Sequence, residues 1–248
     1  MKLNGDKCHL LISGFKYQIH WAKVGTSKIW ESSHEKLLGV TIDKDLKFNL
    51  HISNICKRAG RKLTALGRIS RLIPLNKRKV LFNAFKSQFA YCPLTWMFYD
   101  RNLNNKINHL HERALRIVYK DDHSSFDELL KKGSTVSIHH RNLRSLAIEL
   151  FKFKNGLSPV IMNDIFLQKK DDGPGLRSQT EFCVPRVRTV YKGDDSLRHL
   201  GPLIWKIVPE TLKQSPSIEI FKSEIKKWIP NNCICRLCKD YIQGIGYV

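Results

Sequence analysis

Seven apolar residues, Ile52, Ile55, Ala59, Leu63, Leu66, Ile69 and Ile73, recur every three or four positions and stop at Pro74. That spacing places them on one stripe of an α-helix, and a stripe of this kind has to be buried against other elements. N-terminal to it the pattern is different. Short apolar runs (9–12, 17–21, 29–30 and 36–43) alternate with polar breaks at Gly14 and Gly25, which is the punctuation of strands and hairpins. A chain that changes period in this way is α+β. Because helical periodicity continues afterwards, it is expected to be mainly α-helical: short N-terminal strands, a helical bundle and a small C-terminal region.

The spacing predicts further helices over 76–90 (Val80, Leu81, Ala84, Phe85, Phe89) and 104–119 (Ile107, Leu110, Ala114, Leu115, Val118). Another is predicted over 137–154, with Leu143, Leu146, Ala147, Leu150 and Phe151 as its stripe and Gly156 placed for a C-terminal cap. Residues 168–175, with Gly-Pro-Gly among charges, read as a boundary, and the β-branched run 184–191 reads as a strand. Helical pattern returns over 203–207 and 218–228. The expected organisation is therefore 1–47 strands, 48–167 helical domain, 168–230 strand and helix, and 231–248 a Cys-rich tail. No internal repeat occurs. The 248 residues, 42% of them hydrophobic, suffice for one substantial core or two modest ones.

Charge narrows the partners. The formal net charge is +21, and between Asp45 and Asp100 there is no acidic residue at all, while eleven Lys and Arg fall there. On the first helix Lys57, Arg61 and Arg68 lie opposite the apolar stripe, with Arg58, Lys62 and Arg71 at its margins; Lys77, Arg78 and Lys79 come next. A solvated helix normally mixes signs and gains i,i+4 pairs. A ridge of one sign favours a polyanion, because each phosphate it neutralises releases condensed counterions. Nucleic acid, whether RNA, DNA or their hybrid, is the expected partner. A membrane is not, since no stretch approaches about 20 apolar residues. With no signal-peptide pattern at the N-terminus, the expected location is intracellular, nuclear and/or cytoplasmic.

Seven cysteines, four of them scattered, argue against a disulfide framework. The other three, Cys233, Cys235 and Cys238, crowd into six residues and offer three thiolates to a zinc ion. Structural zinc takes four ligands, so Cys183, a histidine or a second chain would have to supply the last; reduced thiols are the alternative. Adjacent histidines such as His139 and His140 point about 100° apart on a helix and rarely chelate one ion together. Hydrolase elbows, zinc-protease motifs, Walker loops and dinucleotide fingerprints are absent from the sequence. Trp21, Trp30 and Tyr17 sit in the strand-rich start, where an exposed ring can stack on a base.

Residues 1–12 (MKLNGDKCHLLI), 36–43 (KLLGVTID) and 48–52 (FNLHI) resemble the end of the palm of non-LTR retrotransposon reverse transcriptases of the jockey type. Residues 89–97 (FAYCPLTWM), 110–116, 137–143, 186–191, 201–205 and the terminal CICRLC resemble the region C-terminal to the palm in those proteins, so the likeness covers essentially the whole chain. The resemblance implies that Lys7 lies near an incoming nucleotide's phosphates. It implies also that Leu38, Gly39 and Val40 belong to the primer-grip region and that the helices after them form a thumb along the template-primer duplex. The family's catalytic aspartates, which hold two Mg ions, lie upstream of the Lys7 motif and are not found in this sequence. No catalytic residue is therefore expected here.

The tetrapeptide Tyr119-Lys120-Asp121-Asp122 matches the bare Tyr-x-Asp-Asp pattern of that family. It closes an amphipathic helix instead of sitting on a hairpin, so it reads as a charged helix end. The expectation is a non-catalytic C-terminal part of an RNA-directed DNA polymerase that binds template-primer, with the missing N-terminal polymerase region as a further partner. The rivals are a zinc-assisted interaction or assembly module, or an inactive translated relic, for which an exposed apolar edge at Leu10 to Ile12 would be the symptom.

Overall fold

The computed structural model describes residues 4–14, 20–98, 100–168, 182–230, 232–239, 241–242 and 246–247. Two small antiparallel hairpins precede a set of helices, so the architecture is α+β and mainly helical. Strands β1 (Trp21–Val24) and β2 (Ser27–Trp30) turn at Gly25, whose φ of +61° suits a two-residue loop. Strands β3 (His34–Leu37) and β4 (Val40–Asp43) turn at Leu38-Gly39, both with positive φ, as a type I′ turn requires. Leu10 makes a parallel bridge to Glu31, and Leu10, Leu11 and Ile12 are half-buried and not an exposed edge.

An isolated hairpin is marginal in water. The second one is anchored on helix α1 (Asn49–Ile69): Val40 is buried against it, and the Thr41 N–H donates to His51 Nδ1 at 3.2 Å. The entry to α1 is fixed by Asp43, whose carboxylate accepts from the N–H groups of Asp45, Lys47 and Phe48 at 3.1, 3.0 and 2.6 Å. On α1 the predicted stripe Ile52, Ile55, Ala59, Leu63 and Leu66 is buried; Ile69, at the helix end, is exposed.

Helix α2 (Leu75–Lys86) differs from expectation. Phe82 and Phe85 are buried, with Phe89 in the adjoining 3-10 turn, whereas Val80 is 64% exposed and Leu81 38%. Three aromatic rings bury more area than the two aliphatic side chains, and their spacing sets which side of the helix turns inward. After α3 (Pro93–Trp96), helix α4 (Arg101–Tyr119) starts at an Asp100 cap, three residues earlier than predicted. Helix α5 (Phe126–Lys132) lies outside the predicted helices, although Ser125 and Glu128 form a complete capping box at its start. Helix α6 (Ile138–Lys154) matches its prediction, with Ser137 as cap. At its end Gly156 (φ +69°) and Leu157 donate to the carbonyls of Phe153 and Lys152, closing a Schellman motif.

Helices α7 (Met162–Ile165), α8 (Leu197–Ile207), α9 (Glu210–Lys213), α10 (Ile218–Glu224) and α11 (Arg236–Lys239) come next, then a short hairpin of β5 (Tyr241–Ile242) and β6 (Gly246–Tyr247). The strand expected over 184–191 does not form. Phe182 makes one bridge to Gln168, Pro185 offers no N–H, and the chain then enters a wide π-type turn over Val190–Asp194. Helix α10 stops short of the predicted Trp228. Residues 169–175, most of the expected boundary, lie outside the described residues, as does Tyr17.

Two cores result. The first joins Val40, the stripe of α1, Phe82, Phe85, Phe89, the buried face of α4, Leu129 and Ile138. The second joins Met97, Phe98, α6 from Leu143 to Phe153, Phe166, Phe182, α8, Phe221, Ile225 and the cysteine tail. Helix α6 contributes to both, so the division between them falls within that helix. Among the described residues no helix is long and apolar enough to cross a membrane.

Candidate metal centre and cationic face

The tail is brought against the start of α6. Ligand atoms of His139, Cys233, Cys235 and Cys238 all lie within 4.8 Å of one another, close enough to hold one metal ion. His139 Nε2 is 3.2 Å from Cys235 Sγ, and both residues are buried. Local chemistry explains the placement: Ser137 caps α6, which fixes the first turn and aims His139 inward, where its ring meets Phe98 edge-on at 6.1 Å. The tail is held from two sides. Arg144 of α6 donates from Nε to the Trp228 carbonyl at 2.7 Å, and Arg236 Nη1 lies 3.5 Å from the buried Asp195 carboxylate.

The thiols are electrostatically unequal. Cys235 is held well below the usual thiol range by the hydrogen bonds of Cys233 and Cys238 directed at it, and His139 adds to this. Cys233 is pushed up to about 12, first by its hydrogen bond to Cys235 and then by burial. Cys238 is raised by its hydrogen bonds to Cys233 and Cys235 and then by burial. A thiolate already supported by neighbouring donors is where a cation replaces shared protons at least cost. His140 is not one of the four; its Nε2 is 3.9 Å from Cys238 Sγ, and burial pushes its pKa down to about 4. That agrees with the expectation that adjacent helical histidines do not share an ion. Cys183 is not part of the group; its backbone N–H bonds to the Leu167 carbonyl. The residue that the fold brings to the three cysteines is His139, which no sequence spacing announces, because it stands 96 positions from Cys235.

The cationic residues lie apart from this cluster, on the first core. Lys57, Arg58, Arg61, Lys62 and Arg68 of α1, Arg71 in the turn, and Lys77 and Lys79 of α2 are all exposed, and none makes an ion pair among the described residues. Arg78 is a correction: it is 8% exposed and its Nη1 donates to the Ser70 carbonyl at 3.1 Å, so it ties α2 to the end of α1 and does not face outward.

Lys7 is exposed and closes a 3-10 turn, Gly5–Lys7, capped by Asn4. Leu38 and Gly39 form the tip of the second hairpin, where the Tyr91 hydroxyl donates to the Leu38 carbonyl, while Val40 points into the first core. Lys120 is the left-handed C-terminal cap of α4, and Asp121 is fully engaged. It accepts from Lys132 Nζ at 2.7 Å, from Ser124 Oγ at 2.9 Å and from the Ser124 N–H at 3.0 Å. These bonds hold its pKa far below the usual carboxylate range, Lys132 contributing most. That is a helix-end staple, as the charged-turn reading requires.

Comparison with protein-family models, with curated proteins and with solved structures finds no match to this chain.

Proposed function

We propose that this chain binds the phosphate backbone of a nucleic-acid duplex through α1 and the turn into α2. In this reading it is the thumb-like, non-catalytic part of a retrotransposon RNA-directed DNA polymerase, working with an N-terminal region that carries the Mg-binding aspartates. The observation that carries the proposal is that eight cations of α1, the following turn and α2 are exposed, in a segment of sequence that holds no acidic residue. On α1 the cations from Lys57 to Arg68 span about 16 Å along the helix axis, at about 1.5 Å per residue. Phosphates repeat about every 3.4 Å along one strand, so the ridge is long enough to face several of them.

The ion suited to the Cys3His group is zinc. Three thiolates and one imidazole are a soft, four-coordinate set, which closes the ion to solvent and makes its role structural. Bound there, zinc would fasten the tail to α6 and close the second core.

The test is anisotropy of an RNA–DNA hybrid across a salt series, comparing the intact chain with one in which Lys57, Arg58, Arg61 and Lys62 are changed to alanine. The intact chain is expected to lose affinity steeply with salt, and the variant's logarithmic slope to be shallower by about 0.9 for each phosphate contact removed. No binding at low salt would sink the proposal, and metal-dependent primer extension by the purified chain would sink its non-catalytic part. The metal cluster also favours a second reading, a zinc-assisted interaction or assembly module. That reading wins if the alanine variant binds the hybrid as well as the intact chain does while loss of zinc abolishes self-association or partner binding.

A further inference from the structure

The first hairpin presents a face that the duplex reading does not use. Residues alternate along it: Ala22, Val24, Ser27 and Ile29 are half-buried, whereas Trp21, Lys23, Lys28 and Trp30 are exposed together on the other side. Trp21 pairs directly with Trp30 and Lys23 directly with Lys28. The Lys28 ammonium sits 4.3 Å from the Trp21 ring centroid and 4.2 Å from that of Trp30, so one cation orients both indoles. Even so, Trp21 is 46% and Trp30 63% exposed.

Two features of this face cost stability, and the Lys28 contact to the two indoles offsets only part of that. Lysines directly opposite each other on a ladder repel, where a stabilising pair would oppose unlike charges. Two indoles left this open give up the burial that makes tryptophan favourable in a fold. An aromatic platform with two ammonium groups, neither in an ion pair among the described residues, complements a ligand that is planar and negatively charged at once, with repeating units.

We infer that the Trp21–Lys23–Lys28–Trp30 face binds unpaired nucleotides of a single strand, bases stacking on the indoles and phosphates meeting Lys23 and Lys28. Stacking on an aromatic ring is available to every base but only when the base is not already stacked in a duplex. The face therefore selects single-stranded over double-stranded nucleic acid, and its selectivity is independent of the cationic helix. The two sites together would take a junction: duplex on α1, unpaired strand on the hairpin.

The test uses the full chain and two probes, a fluorescent oligothymidylate of about eight nucleotides and the blunt RNA–DNA hybrid. In W21A/W30A the single strand should bind about ten- to a hundredfold more weakly, as expected for losing stacked bases, while hybrid affinity stays within about twofold. W21F/W30F, which keeps stacking rings, should retain most of the single-strand affinity. Because the alanine variant can disturb the hairpin itself, photo-cross-linking of unaltered chain to a 5-bromouracil oligonucleotide supplies a second readout, with the adduct expected on the peptide containing Trp21 and Trp30. Unchanged single-strand binding in W21A/W30A, or adducts mapping elsewhere, overturns the inference; so does binding of phosphatidylserine vesicles that the oligonucleotide cannot displace. Failure of the duplex proposal shows instead in the Lys57, Arg58, Arg61 and Lys62 variant, which leaves the hairpin untouched.

Discussion

The two cores are held together by different means. The first is built from long helices whose apolar stripes repeat with helical period, and its buried side chains Ile55, Ala59, Leu63, Ala114 and Leu115 lie on just two of them. The second is built from α6 and several short helices with long connections, and it closes through aromatic rings and cysteines. Phe151 stacks on Phe221 at 4.2 Å, Phe182 meets Trp205 edge-on at 5.7 Å, and Cys233 and Cys235 are buried beside them. Helical regularity distributes cohesion over many equivalent contacts. The second core concentrates it where the chain crosses itself.

The comparison is broken most sharply at the candidate metal ligands. With zinc bound there as proposed, changing Cys235 to Ser, or treatment with a chelator, should abolish one equivalent of zinc and with it much of the roughly 10 kcal/mol or more that a structural zinc supplies. Hydrogen exchange should then accelerate in α8 and α10 while α1 and α4 stay protected; equal loss in both cores would show that they do not differ in this way. Next in size is Leu63→Ala in the first core, where the side chain is fully buried. It should cost about 2–5 kcal/mol in denaturant unfolding without changing zinc stoichiometry.

Acid sharpens the contrast from the other direction. His111 is fully buried in the first core, stacked on Phe82 at 5.6 Å and edge-on to Phe126, and neither ring nitrogen has a hydrogen-bond partner among the described residues. Burial, with Lys86 and Arg141 nearby, pushes its pKa down to about 3 from 6.5. The unfolded chain therefore binds a proton below pH 6.5 that the folded chain refuses. The stability that neutral His111 permits is complete above that pH and is lost as pH falls toward 3. Between about pH 7 and pH 5 the loss should be about 2 kcal/mol, and His111→Leu should flatten this part of the stability profile. Smallest is Ser125→Ala, which removes one half of the capping box of α5 and should cost about 1 kcal/mol. Its effect should be confined to hydrogen exchange of α5.

This difference between the cores also explains what can be read from residues alone. Helices α1 and α6 are legible because their stripes are local in sequence. Val80 and Leu81 mislead because Phe82 and Phe85 of the same helix, with Phe89 in the turn after it, compete for the core and win. Residues 184–191 have strand composition, but a strand needs a neighbour, and none is placed there among the described residues. In the candidate site the three cysteines are legible as a motif and the cations as a run. His139 is not, since only folding brings it to the tail, and Arg78 departs from its neighbours because a run of charge does not say which member turns inward.

The cluster formed by His139 and the tail also sets an order of events. A ribosome adding about 5 to 20 residues each second needs about 5 to 20 s to make the 96-residue interval between His139 and Cys235. During that interval α6 can already pack its first turn onto the early core, while its inward histidine waits for partners not yet synthesised. Completion of the second core therefore has to wait until the cysteine motif has been made. A nascent chain halted before Leu197 lacks both α8 and α10, the helices that pack on α6, and so leaves Leu143, Leu146 and Leu150 without that cover.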